Sequence, residues 1–394
     1  MVLKTIPGFL AAKRDYVILT SLYLFHLITT YIWLKLDTVP IPWDAGSSYV
    51  KSLIFCDTLG FHSFLDVLNP LWLRHLPELA HTWEAVWPPF SMTVVTPFYT
   101  IFGKEPDTAI LIQYAIFYLI LIFSVYGIGR RLFSRNTGLI ASFIVTIYPI
   151  VLNTMSSWLA FPHEGKVFFH SIPLAAMVSL SLYLLLLTEH FKSTKYSVLL
   201  GITLGLGWLT KFTFPFFVIG PIAFIVITSI VEMIKRKEPV PNLIRFKGQI
   251  PNMIFALIAF ALVPTHYWIA NQVQITRLLD ASKTISMGGP YIFHLIEGMT
   301  FLFLVLAIIA LLYVTYLVIS KSLKPESVIF VLLWLIISYV ILSYSRMHLT
   351  RYLTPLLPAI ALISAVALEK IRFSKLKAAL ISLVVILGLV QFFA

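Results

Sequence analysis

Apolar runs of 17 or more residues recur along almost the whole chain, separated by short polar turns. A helix that crosses ~30 Å of hydrocarbon needs about 20 residues, and a repeated series of such runs reads as membrane spans. Composition agrees. The 394 residues are 59% hydrophobic and 12% charged, with a mean hydropathy of +0.92, where soluble domains average about 25% charged. The sequence therefore predicts an all-α polytopic membrane protein. "MVLKTIPGFLAAKRDYVILT" places basic residues before the first run with no small-residue cleavage site after it. An uncleaved anchor is expected, not a signal peptide.

Candidate spans are Tyr16–Leu36, Thr108–Ile128, Thr137–Asn153, Val167–Leu187, Ser197–Lys211, Phe212–Ile234, Ile250–Ile269, Tyr291–Ile319, Ser327–Ser343, Tyr352–Leu368 and Ala378–Phe393. A further stretch, Pro88–Gly103, has 16 residues and opens with two prolines. As a helix it reaches only about 24 Å. Charge decides its place. The N-terminus (Lys4, Lys13, Arg14) and the "GRRLFSR" turn are both basic, so both are expected in the cytoplasm, an even number of crossings apart. Pro88–Gly103 is then a partly embedded helix on the outer face. This threading puts 19 of the 29 Lys and Arg on the cytoplasmic side.

Eleven spans follow, with residues 1–15 cytoplasmic, a large first outer loop at 37–107, and the remaining spans in 108–394. The loop is expected to hold short amphipathic pieces after Asp44, around "LPELAHTWEAVW", and at 88–103. No soluble domain is expected after the last span. The net charge of +12 is spread in small clusters between spans. That is an orientation signal, so nucleic acid is not an expected partner. A single cysteine, Cys56, excludes an internal disulfide and a cysteine-based metal site.

Polar residues at outer-face positions carry what chemistry there is. Asp44, in "IPWDAGSSYVKSL", reads either as the cap of a short helix or as a carboxylate at the interface that accepts a proton from a nucleophile. Lys211 ends "LLGITLGLGWLTKFTFPFF". A lysine at a span end can simply snorkel, or its ammonium can meet a lipid phosphate. The glycines at 201, 205 and 207 offer a small face for close helix packing. "SYSRMHLTRYLTPLLP" sets Arg346, His348, Arg351 and Tyr352 at another outer turn, where a structural role and a phosphate clamp are both open. In "SSWLAFPHEGKVFF", Glu164 is a possible second acid and His163 a possible metal ligand, although a solvated loop explains the pair as well. No strong metal-ligand spacing, nucleotide-cradling loop or nucleophile elbow is present.

Four stretches, in order, resemble the GT-C glycosyltransferases of the dolichyl-phosphate-mannose–protein mannosyltransferase and lipid A aminoarabinose transferase type. "PWDAGSSY" is similar to the first-loop aspartate motif. "WPPFSMTVVTPFYTIFG" is similar to the helix that follows paired prolines and ends in Phe-Gly. "SIPLAAMVSLSLYLL" with "GLGWLTKFTFP" resembles the fourth span and its Leu-Thr-Lys turn, and "RYLTPLLPAIALI" a late Arg-Tyr-x-x-Pro-x-x-Pro segment.

The resemblance implies a GT-C-like bundle of about eleven spans with juxtamembrane helices in the first outer loop, in the cell membrane. It also implies transfer of a sugar from a polyprenyl-phosphate carrier to a protein, glycolipid or wall-polymer acceptor outside the cytoplasm. Nucleotide sugars are absent there, which favours a lipid-linked donor. By the same resemblance Asp44 is the general base of an inverting displacement, and Lys211 and Arg351, helped by Arg346, contact the donor phosphate. No cofactor is implied with certainty, and a divalent metal is left open. Two departures stand out. Trp87 replaces the cation expected before the paired prolines, and Ser171, beside His170, stands where an aspartate usually opens the fourth span. A lipid-glycan transporter or flippase, and a catalytically silent lipid-glycan binder, are the alternatives. The absence of an internal repeat and the crowding of ionisable groups at one face count against transport.

Overall fold

The computed structural model describes residues 6–36, 43–69, 71, 88–148, 170–235, 248–265, 267–269, 271–272, 276, 280, 293, 295–296, 300–344 and 350–393. Among these residues every regular element is helical. Helix α1 (Ile6–Leu36) leads into α2 (Trp43–Thr58) and α3 (Phe64–Leu68). Short pieces α4 (Phe90–Thr93) and α5 (Tyr99–Phe102) follow. The long elements then run in sequence: α6 (Pro106–Leu132), α7 (Arg135–Ile147), α8 (Ser171–Leu187), α9 (Thr194–Trp208), α10 (Pro215–Lys235), α11 (Gln249–Leu262), α12 (Phe301–Ile319), α13 (Pro325–Ser343), α14 (Leu357–Lys370) and α15 (Ser374–Phe393). Six segments are long and apolar enough to cross a membrane: Arg14–Leu36, Pro106–Leu132, Pro215–Lys235, Phe301–Ile319, Pro325–Ser343 and Arg351–Lys370. Ser171–Leu187 and Gln249–Leu262 are shorter apolar helices.

The centre of the bundle is α6, α8 and α14, which meet α7, α9, α10 and α12 around them. Phe117, Leu121 and Val125 of α6, Val178 and Leu182 of α8, and Leu362 and Val366 of α14 are fully or almost fully buried. Peripheral helices instead present Leu312, Ile319, Ile386 and other large apolar side chains outward, as helices facing hydrocarbon do. Close approach of α9 and α11 depends on missing side chains. A Cβ at Gly201 would collide with the Ala256 carbonyl, and one at Gly205 would lie 2.6 Å from the Val263 Cβ. That bears out the packing role read for Gly201 and Gly205, whereas Gly207 meets the Phe214 ring of the turn that follows.

Several boundaries differ from the sequence reading. Pro88–Gly103 is not one helix. It breaks into α4, a 3-10 turn at Thr96–Phe98, and α5. Pro97 has no N–H for a continuous ladder, and Thr93 and Thr96 hydroxyls donate back to the Pro89 and Thr93 carbonyls at 2.9 and 2.8 Å. Helix α9 stops at Trp208 and α10 begins at Pro215, so Lys211 stands in a turn outside both. The Tyr352–Leu368 span opens as 3-10 helix over Thr350–Leu356 and becomes α-helical from Leu357, with Pro355 at the join. The "LPELAHTWEAVW" piece lies outside the described residues.

Polar groups gather at the two ends of the bundle. At one end Asp15 takes a hydrogen bond from Tyr126 at 2.6 Å and an ion pair from Arg135 at 2.5 Å. Glu369 accepts from Ser134 and Thr137 there, and Arg131 pairs with Glu189 at 2.6 Å. Gln113 and Arg130 of α6 are 17 residues apart, about 26 Å along a helix. The cluster around Gln113 therefore occupies the opposite end.

Candidate active site

Helix α2 is built on one buried stripe: Ser48, Lys51, Ser52, Phe55 and Cys56 are all at most 5% exposed. These positions recur at three and four residues, the period of one helix face. Lys51 is thus carried inward together with its apolar neighbours. Asp44 lies in the first turn of the same helix, seven residues before Lys51. Two turns of helix bring such positions back to nearly the same face. The Asp44 side chain is outside what the structure describes.

The proline segment packs on this stripe. The Ser52 and Tyr99 hydroxyls are 2.5 Å apart, and the Phe90 N–H donates to the Leu209 carbonyl at 2.9 Å. That second bond joins the paired-proline segment directly to the Leu-Thr-Lys turn. Ser91, fully buried, sits 2.6 Å from Nδ1 of His170. The Gln113 amide donates to the Ser91 carbonyl at 3.1 Å and holds the segment from the α6 side.

Lys211 is 5% exposed, and its Nζ lies 4.2 Å from the centre of the Tyr352 ring. The turn owes its shape to Gly207, whose absent Cβ leaves room for the Phe214 ring. Burial, and then the charge of Arg351, push the Lys211 ammonium down to about 7. His170, in the turn that opens α8, is held well below the usual imidazole range first by burial and then by Lys211, Lys51 and Arg351. Its ring is therefore neutral, with one nitrogen able to donate and the other to accept. Three cations from three separate segments act on one buried imidazole. Such a concentration of positive charge in an enclosed place suits a bound anion.

Of the residues singled out in sequence, Lys211, Arg351 and Tyr352 come together. Arg346, His348, His163, Glu164 and Trp87 lie outside the described residues. Among the described residues no three His, Cys, Asp or Glu side chains gather as a metal-binding group. Lys51 and Ser91 were not singled out. For Lys51 the signal was present: its spacing four residues before Phe55 places it on the apolar face of α2, where a surface lysine does not belong.

Residues 87–268 match the family model of dolichyl-phosphate-mannose-protein mannosyltransferases. No curated protein matches the sequence. Among solved structures, ArnT from Cupriavidus metallidurans bound to undecaprenyl phosphate aligns at 17% identity with a TM-score of 0.60, covering 90% of this chain and 60% of that one. The oligosaccharyltransferase AglB from Archaeoglobus fulgidus, in complex with an inhibitory peptide and a dolichol-phosphate, aligns at 13% identity and a TM-score of 0.52, covering 95% of this chain and 55% of that one. A structure of the Archaeoglobus fulgidus oligosaccharyltransferase tethered to an acceptor peptide with the NVT sequon aligns at 15% and 0.54, covering 94% and 54%. The chain thus spans a little over half the length of the proteins it matches. Its fold is the all-helical membrane fold seen in those ArnT and oligosaccharyltransferase structures.

Proposed function

We propose that the chain is an integral membrane glycosyltransferase that uses a polyprenyl-phosphate-linked sugar. One observation carries this reading: four motifs far apart in sequence meet in one buried, basic cluster through Ser52–Tyr99, Ser91–His170, Phe90–Leu209 and Lys211–Tyr352. The presence of undecaprenyl phosphate and dolichol-phosphate in ArnT and AglB structures of the same fold supports the ligand class.

In this reading the whole of 1–394 is one transmembrane domain threaded eleven times, N-terminus in the cytoplasm, with the pocket on the outer face. The lipid tail lies between helices and its phosphate enters among Lys51, Lys211 and Arg351. Lys51 supplies the cation that Trp87 does not. His170, fixed by Ser91, offers a neutral donor in the place where the family resemblance leads one to expect an acid.

The reaction is a single displacement. An acceptor hydroxyl or amine attacks the anomeric carbon from the face opposite the phosphate and gives its proton to the Asp44 carboxylate. The bond from the anomeric carbon to the phosphate oxygen breaks, and polyprenyl phosphate departs with the electron pair. Configuration inverts. The cations stabilise charge as it builds on the leaving oxygen, and a placed base adds about 10²–10⁴-fold.

The test is release of polyprenyl phosphate from a polyprenyl-phosphate sugar by the purified protein, with and without candidate acceptors. Transfer by the wild type and none by a well-folded Asp44→Asn variant is the expected result. Full activity in Asp44→Asn would remove the base assignment. Absence of transfer with tight binding of the lipid would make the chain a silent binder.

A further inference from the structure

A cavity of about 710 Å³ opens at the other end of the bundle, between α7, α12, α14 and α15. Its wall on α12 runs through Phe303, Leu306, Ala310, Tyr313, Leu317 and Ser320, spaced by three and four residues along one helix face. These positions span about 25 Å, most of the hydrocarbon thickness. Opposite them α15 contributes Leu376, Leu380 and Val384, again a single face. The interior is mostly apolar.

Its mouth is different in kind. Tyr316, Ser320, Ser322 and Arg372 line the end near the α12–α13 and α14–α15 loops. The Ser320 and Ser322 hydroxyls lie 3.1 Å apart, and the Tyr313 hydroxyl donates to the Lys370 carbonyl at 3.2 Å. Exposed Lys321 and Lys324 stand in the α12–α13 loop, and exposed Lys375 in the first turn of α15. Arg351 and Lys370 open and close one continuous helical segment of 20 residues, so this mouth is about 30 Å from the candidate active site.

We propose that this groove binds an anionic membrane phospholipid, one acyl chain between α12 and α15 and the phosphate at Arg372 and the serine hydroxyls. The chemistry of the site selects that occupant. An apolar channel that runs most of the hydrocarbon thickness demands a hydrocarbon chain, and a mouth with a guanidinium, hydroxyls and a rim of lysines demands a phosphate beside it. A zwitterionic lipid would set its own cation against that rim.

Native mass spectrometry of the protein released from nanodiscs of mixed phosphatidylglycerol and phosphatidylcholine reads the site directly. The expected spectrum keeps one phosphatidylglycerol through delipidation. Arg372→Gln, an exposed position whose change leaves the core intact, should cut that adduct about tenfold. Ala310→Trp, which fills the channel, should remove it; if that variant does not fold, Arg372→Gln alone decides. Equal retention of both lipids, or an adduct indifferent to Arg372→Gln, would overturn the proposal. Retention of added polyprenyl phosphate that falls in Arg372→Gln but not in Lys211→Ala would overturn it too, by giving the groove to the carrier.

Discussion

The ammonium of Lys211 lies 4.2 Å above the ring of Tyr352, joining the turn after α9 to the segment before α14 across more than a hundred residues of chain. A cation on a desolvated aromatic face gains about 2 kcal/mol. The contact therefore fixes where the charge points as well as tolerating its burial. Tyr352→Phe should keep donor use close to wild type. Tyr352→Ala should raise the KM for the lipid donor several-fold, read as polyprenyl phosphate release against donor concentration.

Lys211→Ala removes a charge-assisted contact worth about 1.5–3 kcal/mol, so donor affinity should fall about ten- to a hundredfold. Lys51→Met should produce a loss of the same order, because Lys51 also faces His170 from the buried side of α2. The double variant should lose less than the product of the two single losses, since neighbouring contacts to one group are not additive. Isothermal titration with a short-chain polyprenyl phosphate distinguishes these outcomes. A Lys51→Met variant that binds as the wild type does would take Lys51 out of the pocket.

pH offers an independent handle on the same group. Burial and Arg351 lower the Lys211 ammonium to about 7, so in the empty pocket its charge is present below that pH and lost above it. A phosphodiester donor keeps its own charge over this range. Donor affinity should therefore decline as pH rises from about 6 to 9, and Lys211→Arg, whose guanidinium stays charged, should flatten the profile. A wild-type profile as flat as that of Lys211→Arg would contradict the assignment.

Helix packing behind the site is equally open to test. Gly201 touches α11 so closely that a Cβ meets the Ala256 carbonyl. Gly201→Leu should destabilise the α9–α11 pair by about 1–3 kcal/mol and lower the melting temperature by several degrees in a thermal-shift assay. Tyr31→Leu, on the exposed side of α1, should leave it unchanged.

The long helices were legible because apolar length in a membrane chain admits few other readings. Gly201 and Gly205 were legible for the same kind of reason, since two glycines four residues apart in an apolar run share one helix face and have one evident use. The proline segment was misjudged as a single helix because hydropathy reports apolar length and is blind to Pro97 and the threonine back-bonds that break it. In the site, Lys211, Arg351 and Tyr352 could be picked out singly, but only tertiary structure shows that they meet. Lys51 was hidden by its type: a lysine reads as surface until its place on the stripe with Ser52, Phe55 and Cys56 is seen.

The claim on which the rest depends is that Lys51, Lys211 and Arg351 together hold one lipid phosphate. Its most direct measurement is the dissociation constant of polyprenyl phosphate for the wild type and for the Lys51→Ala, Lys211→Ala and Arg351→Ala variants, each checked for intact fold. We predict at least about a tenfold weakening in every variant. Unchanged binding in all three would contradict it.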